Sequence, residues 1–343
     1  MIDKTLLLTF LPFIILNVLI YLNINKIFFI INISDNSDGI RKMHDGNVPP
    51  LGGLVIILNI TLLLILKILN FNFTNFLFVD NFESLRHVAS FFFVSILIFF
   101  LGLYDDRYGI KPFHKLFGII IILIGAVSID TQLLILNLNF SFYNENLSLN
   151  SFSMFFTILS IALLMNAINM FDGINMLVGL YSILIFISFL LNNFMPGITI
   201  VLLMALSLFL IFNSKGKLFL GDNGSLLLGY IISFYFIKSY NSDIITNSDE
   251  IFMFMIFPGL DLLRLCTQRL INGKHPFSAD RNHIHHLLKV KYGDFKTLIL
   301  LISLILIPLI LHTFIDTLYC NIIGIFNYLL AYLLAMKKNT INQ

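Results

Sequence analysis

Apolar residues in this chain come in long unbroken runs, not in the three-to-four spacing of a half-buried helix, and short polar breaks part the runs. A helix needs about 20 such residues to cross hydrocarbon, where it must satisfy its own backbone hydrogen bonds. On that length the pattern predicts helices near 5–23, 51–70, 88–104, 116–136, 152–168, 175–191, 195–213, 224–238, 251–267, 297–315 and 320–336, about eleven spans. The expected fold class is an all-α polytopic membrane protein, a single integral-membrane domain over 1–343. The first run, Thr5 to Leu22, follows a lone Lys4 and precedes no small-residue cleavage site, so it reads as a retained first span.

Composition agrees. The chain is 58% hydrophobic and 12% charged, against about 25% charged in ordinary globular domains, which excludes a soluble fold. Its mean hydropathy is +0.92. The net charge of +2 says little, but its distribution says more. Most of the lysines and arginines, from Lys26 and Arg41 through Lys115 and Arg281 to Lys338, gather in one set of loops. Only Lys4, Lys67, Arg86 and Lys238 fall in the other set, with the N-terminus. By the positive-inside bias the first set is cytoplasmic, and an odd number of spans puts the termini on opposite sides. Cys266 and Cys320 lie in or beside apolar runs and offer neither a disulfide framework nor a thiolate metal site.

Under this one topology every polar cluster falls on the cytoplasmic face, in loops 24–50, 105–115, 169–174, 214–223 and 268–296. "YDDRYGIKPFHK" sets Asp105 and Asp106 at the end of the third span. Adjacent carboxylates repel unless they share a cation or a proton; the plainer reading is a solvated helix end paired with Arg107 and Lys111. In "NAINMFDGINM" Asn166, Asn169, Asp172 and Asn175 recur every third residue, about one helical turn apart. Such a set is costly beside an apolar span unless it meets a ligand or a metal, or forms an interhelical hydrogen-bond seam. "LGDNGSLLLG" opens a span with Asp222 and Ser225 among Gly221 and Gly224. The glycines allow close backbone approach, the helix start offers free N–H groups and Asp222 offers a hard oxygen for Mg2+, a combination suited to a metal-bound phosphate. An ordinary capped turn would look the same.

"SADRNHIHHLLKVKYGD" places His283 and His286 one turn apart, with His285 expected to point elsewhere. No carboxylate stands at metalloprotease spacing, so donation to an anionic diphosphate, amid Lys274, Arg281, Lys289 and Lys291, suits the run better than zinc. A basic segment lying on anionic lipid is the remaining reading. Asp261 and Arg264, three apart, most simply form an ion pair, and His87 and His312 read as structural. His44 in "RKMHDGNVPPLGG" belongs to a loop that Pro49, Pro50, Gly52 and Gly53 stiffen, a candidate for gripping substrate. Together the clusters favour a magnesium-assisted phosphoryl transfer between a soluble and a lipid-anchored reactant. A transporter, the alternative from another class, would more often place its polar groups near mid-span.

These motifs resemble those of the polyprenyl-phosphate N-acetylhexosamine-1-phosphate transferases, above all the WecA-like branch, from about residue 41 to 290. "NGKHPFSADRNHIHHLL" is the most specific stretch, since the MraY cousins carry a different histidine-rich loop. The resemblance implies transfer of a sugar 1-phosphate, GlcNAc-1-phosphate before others, from a UDP-N-acetylhexosamine to undecaprenyl phosphate, with release of UMP. It further implies dependence on Mg2+ or Mn2+ and an active site on the cytoplasmic face of the bacterial inner membrane, where the product initiates a cell-surface polysaccharide. Membrane lipid and the two substrates are the expected partners; nucleic acid is not, and a homodimer is left open.

By the same resemblance Asp222 is the principal metal ligand, with Asn169 as a second. Asp105 and Asp106 are the paired aspartates, one of them taking a proton from the lipid phosphate, and Asp172 is a nucleophile or a positioning group. Lys115, Asn166, Asn175, Ser225, His44, Arg281, His283, His285 and His286 are implied as substrate-binding. A single in-line displacement is the expected route, and passage through an aspartyl-phosphate is the other. Relatives read "DGIDGL" where this chain has Asn175 and Met176 in place of the second aspartate and the second glycine, and Gly109 replaces a later carboxylate after "DDR". Any mechanism needing a charge at position 175 is weakened, and the donor sugar could be another UDP-N-acetylhexosamine.

Overall fold

A computed structural model of the chain describes residues 4–31, 48–69, 84–274, 276 and 282–336. Twelve α-helices stand among the described residues: α1 (Lys4–Ile31), α2 (Gly52–Ile68), α3 (Leu85–Tyr108), α4 (Pro112–Ile129), α5 (Ser153–Phe171), α6 (Leu177–Leu191), α7 (Pro196–Asn213), α8 (Gly221–Asn241), α9 (Ser248–Ile271), α10 (Ile284–Tyr292), α11 (Asp294–Leu311) and α12 (Thr317–Met336). Each of the eleven predicted segments coincides with one of them; α10 is additional. Seven, namely α1, α3, α4, α5, α7, α11 and α12, are long and apolar enough to cross a membrane, while α2 and α6 are shorter apolar helices. The predicted count of eleven thus exceeds the helices that meet this standard among the described residues.

The fourth predicted span runs past its helix. α4 stops at Ile129, and Asn137–Phe140 (β1) pairs antiparallel with Tyr143–Ser148 (β2). Asn137 and Asn139 alternate there with Leu138 and Phe140, the two-residue period of a strand. Asp249 fixes the hairpin by accepting from the Ser141 N–H (2.9 Å) and hydroxyl, and the Tyr240 hydroxyl donates to Asn137 O (3.1 Å).

The chain divides into two compact units, Met1–Thr131 with Ser182–Ile231, and Gln132–Tyr181 with Ile232–Gln343. In the first, α2 packs against α1, α3 and α7, and α3 against α4. Asn17 and Asn59 exchange two side-chain amide bonds of 3.0 Å between α1 and α2. Polar ties of this kind between membrane helices contribute about 0.6–1.7 kcal/mol. In the second unit, α9 packs against α5, α11 and α12, and α10 against α11 and α12. Lys291 Nζ donates to Leu334 O (2.7 Å), placing a cation at the carbonyl end of α12. Several helices keep apolar side chains outward: Phe29 on α1 is 86% exposed and Leu333 on α12 is 65%. Faces this apolar are stable only against lipid.

Candidate active site

In the first unit, α3 ends where Gly109 takes φ +69° and donates to Asp105 O (2.8 Å). Asp105 and Asp106 therefore sit in the last turn, where the helix dipole disfavours anions, so their charge must be answered by donors from elsewhere. Asp106 finds them at the start of α8. Its Oδ1 accepts from Asp222 N (2.9 Å), and its Oδ2 accepts from Asn223 N (2.9 Å) and from the Asn223 side-chain amide. Asp106 thus caps a helix 116 residues away in sequence, supplying the acceptors that its first N–H groups lack.

Asp105 turns the other way. Its Oδ1 accepts from Ile110 N (2.6 Å), and its Oδ2 meets Lys115 Nζ at 2.7 Å. Lys115, in the first turn of the proline-started α4, also reaches Asp222 Oδ2 at 3.1 Å. One ammonium therefore stands between two carboxylates, of which the Asp222 side chain is the more open at 29% exposure.

Close backbone contact makes this arrangement possible. Phe219 N donates to Pro49 O (3.1 Å), Gly52 N to Phe219 O (2.8 Å) and Gly53 N to Leu220 O (3.3 Å), aligning the "VPPLGG" stretch with the approach to α8. Buried Asn223 also donates to Pro50 O. A Cβ on Gly102 would lie 2.5 Å from Asn223 Cα and 2.6 Å from Asp222 C, so only glycine lets α3 approach here. Ser225 is buried and donates to Gly221 O (3.0 Å).

In the second unit α5 stops at Phe171, with Asp172 as its C-cap. The Asn166 amide donates to Ala162 O in its own helix (2.8 Å), and Asn169 O accepts from Asp172 N (3.3 Å). Asn175 lies in the turn that follows, so the three-residue rhythm of the sequence does not run along one helical face. Met176 holds φ +69°.

His283 is the N-cap of α10 and, with Ile284 N, lies 3.3 Å from Asp261 Oδ2. The other carboxylate oxygen of Asp261 binds Arg264 Nη2 (2.6 Å) and the Tyr328 hydroxyl (3.3 Å). His285 is fully buried: its ring lies 6.0 Å from that of Phe171, 5.3 Å from His283 and 4.3 Å from His286, centre to centre. A Cβ on Gly173 would overlap its Nε2. Burial first, then the neighbouring histidines, push its pKa well below the ordinary value, so the ring is neutral. The sequence expectation that His285 points away from its neighbours is corrected, because the first turn of α10 folds all three rings together.

Residues 88–240 match the family model described as Glycosyl transferase family 4. The undecaprenyl-phosphate alpha-N-acetylglucosaminyl 1-phosphate transferase of Thermotoga maritima is 30% identical over 264 residues, 77% of this chain and 75% of its own. This chain belongs to glycosyl transferase family 4. Members carrying the same enzyme name in Escherichia coli K12 and Salmonella typhi are each 26% identical over 72% of this chain and 67% of theirs.

In this family 4 protein the structure brings Asp105, Asp106, Lys115 and Asp222 together, and separately gathers His283, His285 and His286 beside the Asp172–Gly173 turn. His44 and Arg281 lie outside the described residues. A divalent metal, which the family uses, fits the first group: the Asp105 and Asp222 oxygens are hard donors already arranged around a cation, the Lys115 ammonium. Sequence reasoning missed Asn223 and gave Asp261 only its ion pair with Arg264, which forms, but not its contact with His283. Asn223 stands inside the quoted "GDNGS"; nothing in the spacing of Asp261 and His283 signals their meeting.

Proposed function

We propose that this chain, a multi-pass protein of the bacterial inner membrane with about eleven spans, transfers N-acetylglucosamine 1-phosphate from UDP-GlcNAc to undecaprenyl phosphate on the cytoplasmic face. The named transferases among its relatives support the reaction. The observation that carries the residue assignment is the Asp105–Lys115–Asp222 triad at the start of a helix whose first N–H groups Asp106 holds.

Asp222, the more open of the two carboxylates, would hold Mg2+, which there would neutralise charge on the diphosphate during transfer. Lys115 reaches both carboxylates and is the cation that pairs with a phosphate oxygen of the substrates. Asp106 accepts from three donors, so its role is to position Asp222; Asp105 is the carboxylate left to take a proton from the acceptor phosphate. The acceptor oxygen attacks the sugar-bearing phosphorus, the bond to the UMP oxygen breaks, and UMP leaves in one in-line displacement. His286, near Lys289 and Lys291, is assigned to the anionic donor.

Purified protein given undecaprenyl phosphate, UDP-GlcNAc and Mg2+ is expected to release UMP, and Asp222→Ala to abolish release. A panel of UDP-N-acetylhexosamines tests the sugar, for which Asn175 and Met176 are this chain's departures from the motif. Uptake of UDP-sugar into vesicles without UMP release would overturn the assignment in favour of transport.

A further inference from the structure

His285 has no exposed surface, and neither of its ring nitrogens has a hydrogen-bond partner among the described residues. Stranding a buried polar group is costly, and a native structure that keeps one does so for a reason, of which an ion that completes it is one. Donor atoms stand ready around this ring. One ligand atom each from Asp261, His283 and His285 lie within 4.8 Å of one another, and all three residues are buried. Asp261 Oδ2 and His283 Nδ1 are 3.3 Å apart, matching the edge of a tetrahedron built on zinc bonds of about 2.0–2.1 Å.

We infer that Asp261, His283 and His285 form a binding site for a divalent transition metal of the zinc class. Two borderline imidazole donors beside one hard carboxylate favour zinc over magnesium, and three protein ligands among the described residues leave a fourth position open to water. The remaining contacts read as an outer shell. Arg264 and Tyr328 occupy Asp261 Oδ1 and leave Oδ2 turned to the histidines, and Arg264 Nη2 also donates to Asn282 O (2.6 Å) just before them. Gly173 supplies the space in which the His285 ring is seated. The ion would fasten the start of α10 to α9 inside the second unit, and the inference does not depend on the transfer reaction.

The test uses untagged full-length protein purified without chelator, with Mg2+ in excess throughout. One zinc per chain by elemental analysis, or uptake of one Co2+ with the intense visible bands of four-coordinate ligation, is the expected result. Both are lost in Asp261→Asn and His285→Ala and kept in Asp222→Ala. Added Zn2+ should raise the unfolding midpoint of the wild type by several degrees. Folded wild type that takes up no Co2+ and shows no such bands, or bands unchanged in His285→Ala, would overturn the site. Should the variants not fold, pulsed EPR of Cu2+-loaded wild type counts the imidazole ligands: two support the site, and one or none overturns it.

Discussion

Asp106→Asn separates a capping carboxylate from a chemical one. Asp106 accepts from Asp222 N and Asn223 N at 2.9 Å each and from the Asn223 side-chain amide. An asparagine of the same shape has one acceptor oxygen. Turned towards Asn223 it keeps two bonds, both now neutral, and sets its NH2 against the Asp222 N–H. One charge-assisted bond of about 1.5–3 kcal/mol is then lost, and a donor facing a donor costs about 1–3 more. Because Asp106 is only half-buried, solvent screening reduces the sum to about 2–4 kcal/mol. At about 2.1 cal/mol/K per residue over 343 residues, about 1.4 °C per kcal/mol, the unfolding midpoint should fall by about 3–6 °C. The chain has no tryptophan, so a fluorogenic thiol probe reporting exposure of buried Cys320 is the suitable assay. UMP release should fall with it, since Asp222 loses the bond that places its backbone. An unchanged midpoint with activity abolished would refute the capping argument and return Asp106 to the chemistry.

Lys115→Met removes the ammonium that occupies the two carboxylates. Its ion pairs are partly screened, worth about 1 kcal/mol, so Mn2+ binding followed by EPR should tighten roughly fivefold while UMP release falls. Gly102→Ala puts a methyl group against the backbone of Asp222 and Asn223; overpacking of about 1–3 kcal/mol should lower both the midpoint and the activity, and full activity would show that the helices can part there. Met176→Gly relieves a left-handed backbone worth about 1–2 kcal/mol but loosens the unfolded chain by about 0.5–1, so the unfolding midpoint should stay level or rise slightly. A fall of several degrees would mean that the Met176 side chain carries the turn.

The helices were legible because burial in lipid demands long apolar runs, and each predicted segment found its helix. The β1–β2 hairpin was not, because a short alternating stretch beside an apolar run is masked by its neighbour. Asp105, Asp106 and Asp222 could be read as one chemical group from their motifs, but not their division of labour. Asp106 becomes a cap only through a contact across 116 positions, and Lys115 becomes shared only when α4 stands beside α8. His285 illustrates the same limit. Its enclosure depends on Gly173, in a motif more than a hundred residues earlier, and on Phe171, which no local rule connects to it. Met176 could be seen as a departure from the relatives' glycine, whereas the positive φ that gives the departure an energetic meaning is visible only in the fold.

In the proposed transfer a phosphorus atom travels with the sugar. UDP-GlcNAc labelled with 32P at the β position, incubated with the purified protein, undecaprenyl phosphate and Mg2+, follows that atom directly. Label is expected in the lipid fraction, one for each UMP released, and none transferred by Asp222→Ala. Label remaining in soluble UDP while the sugar moves to lipid, or label crossing a vesicle membrane still within intact UDP-GlcNAc, would contradict it.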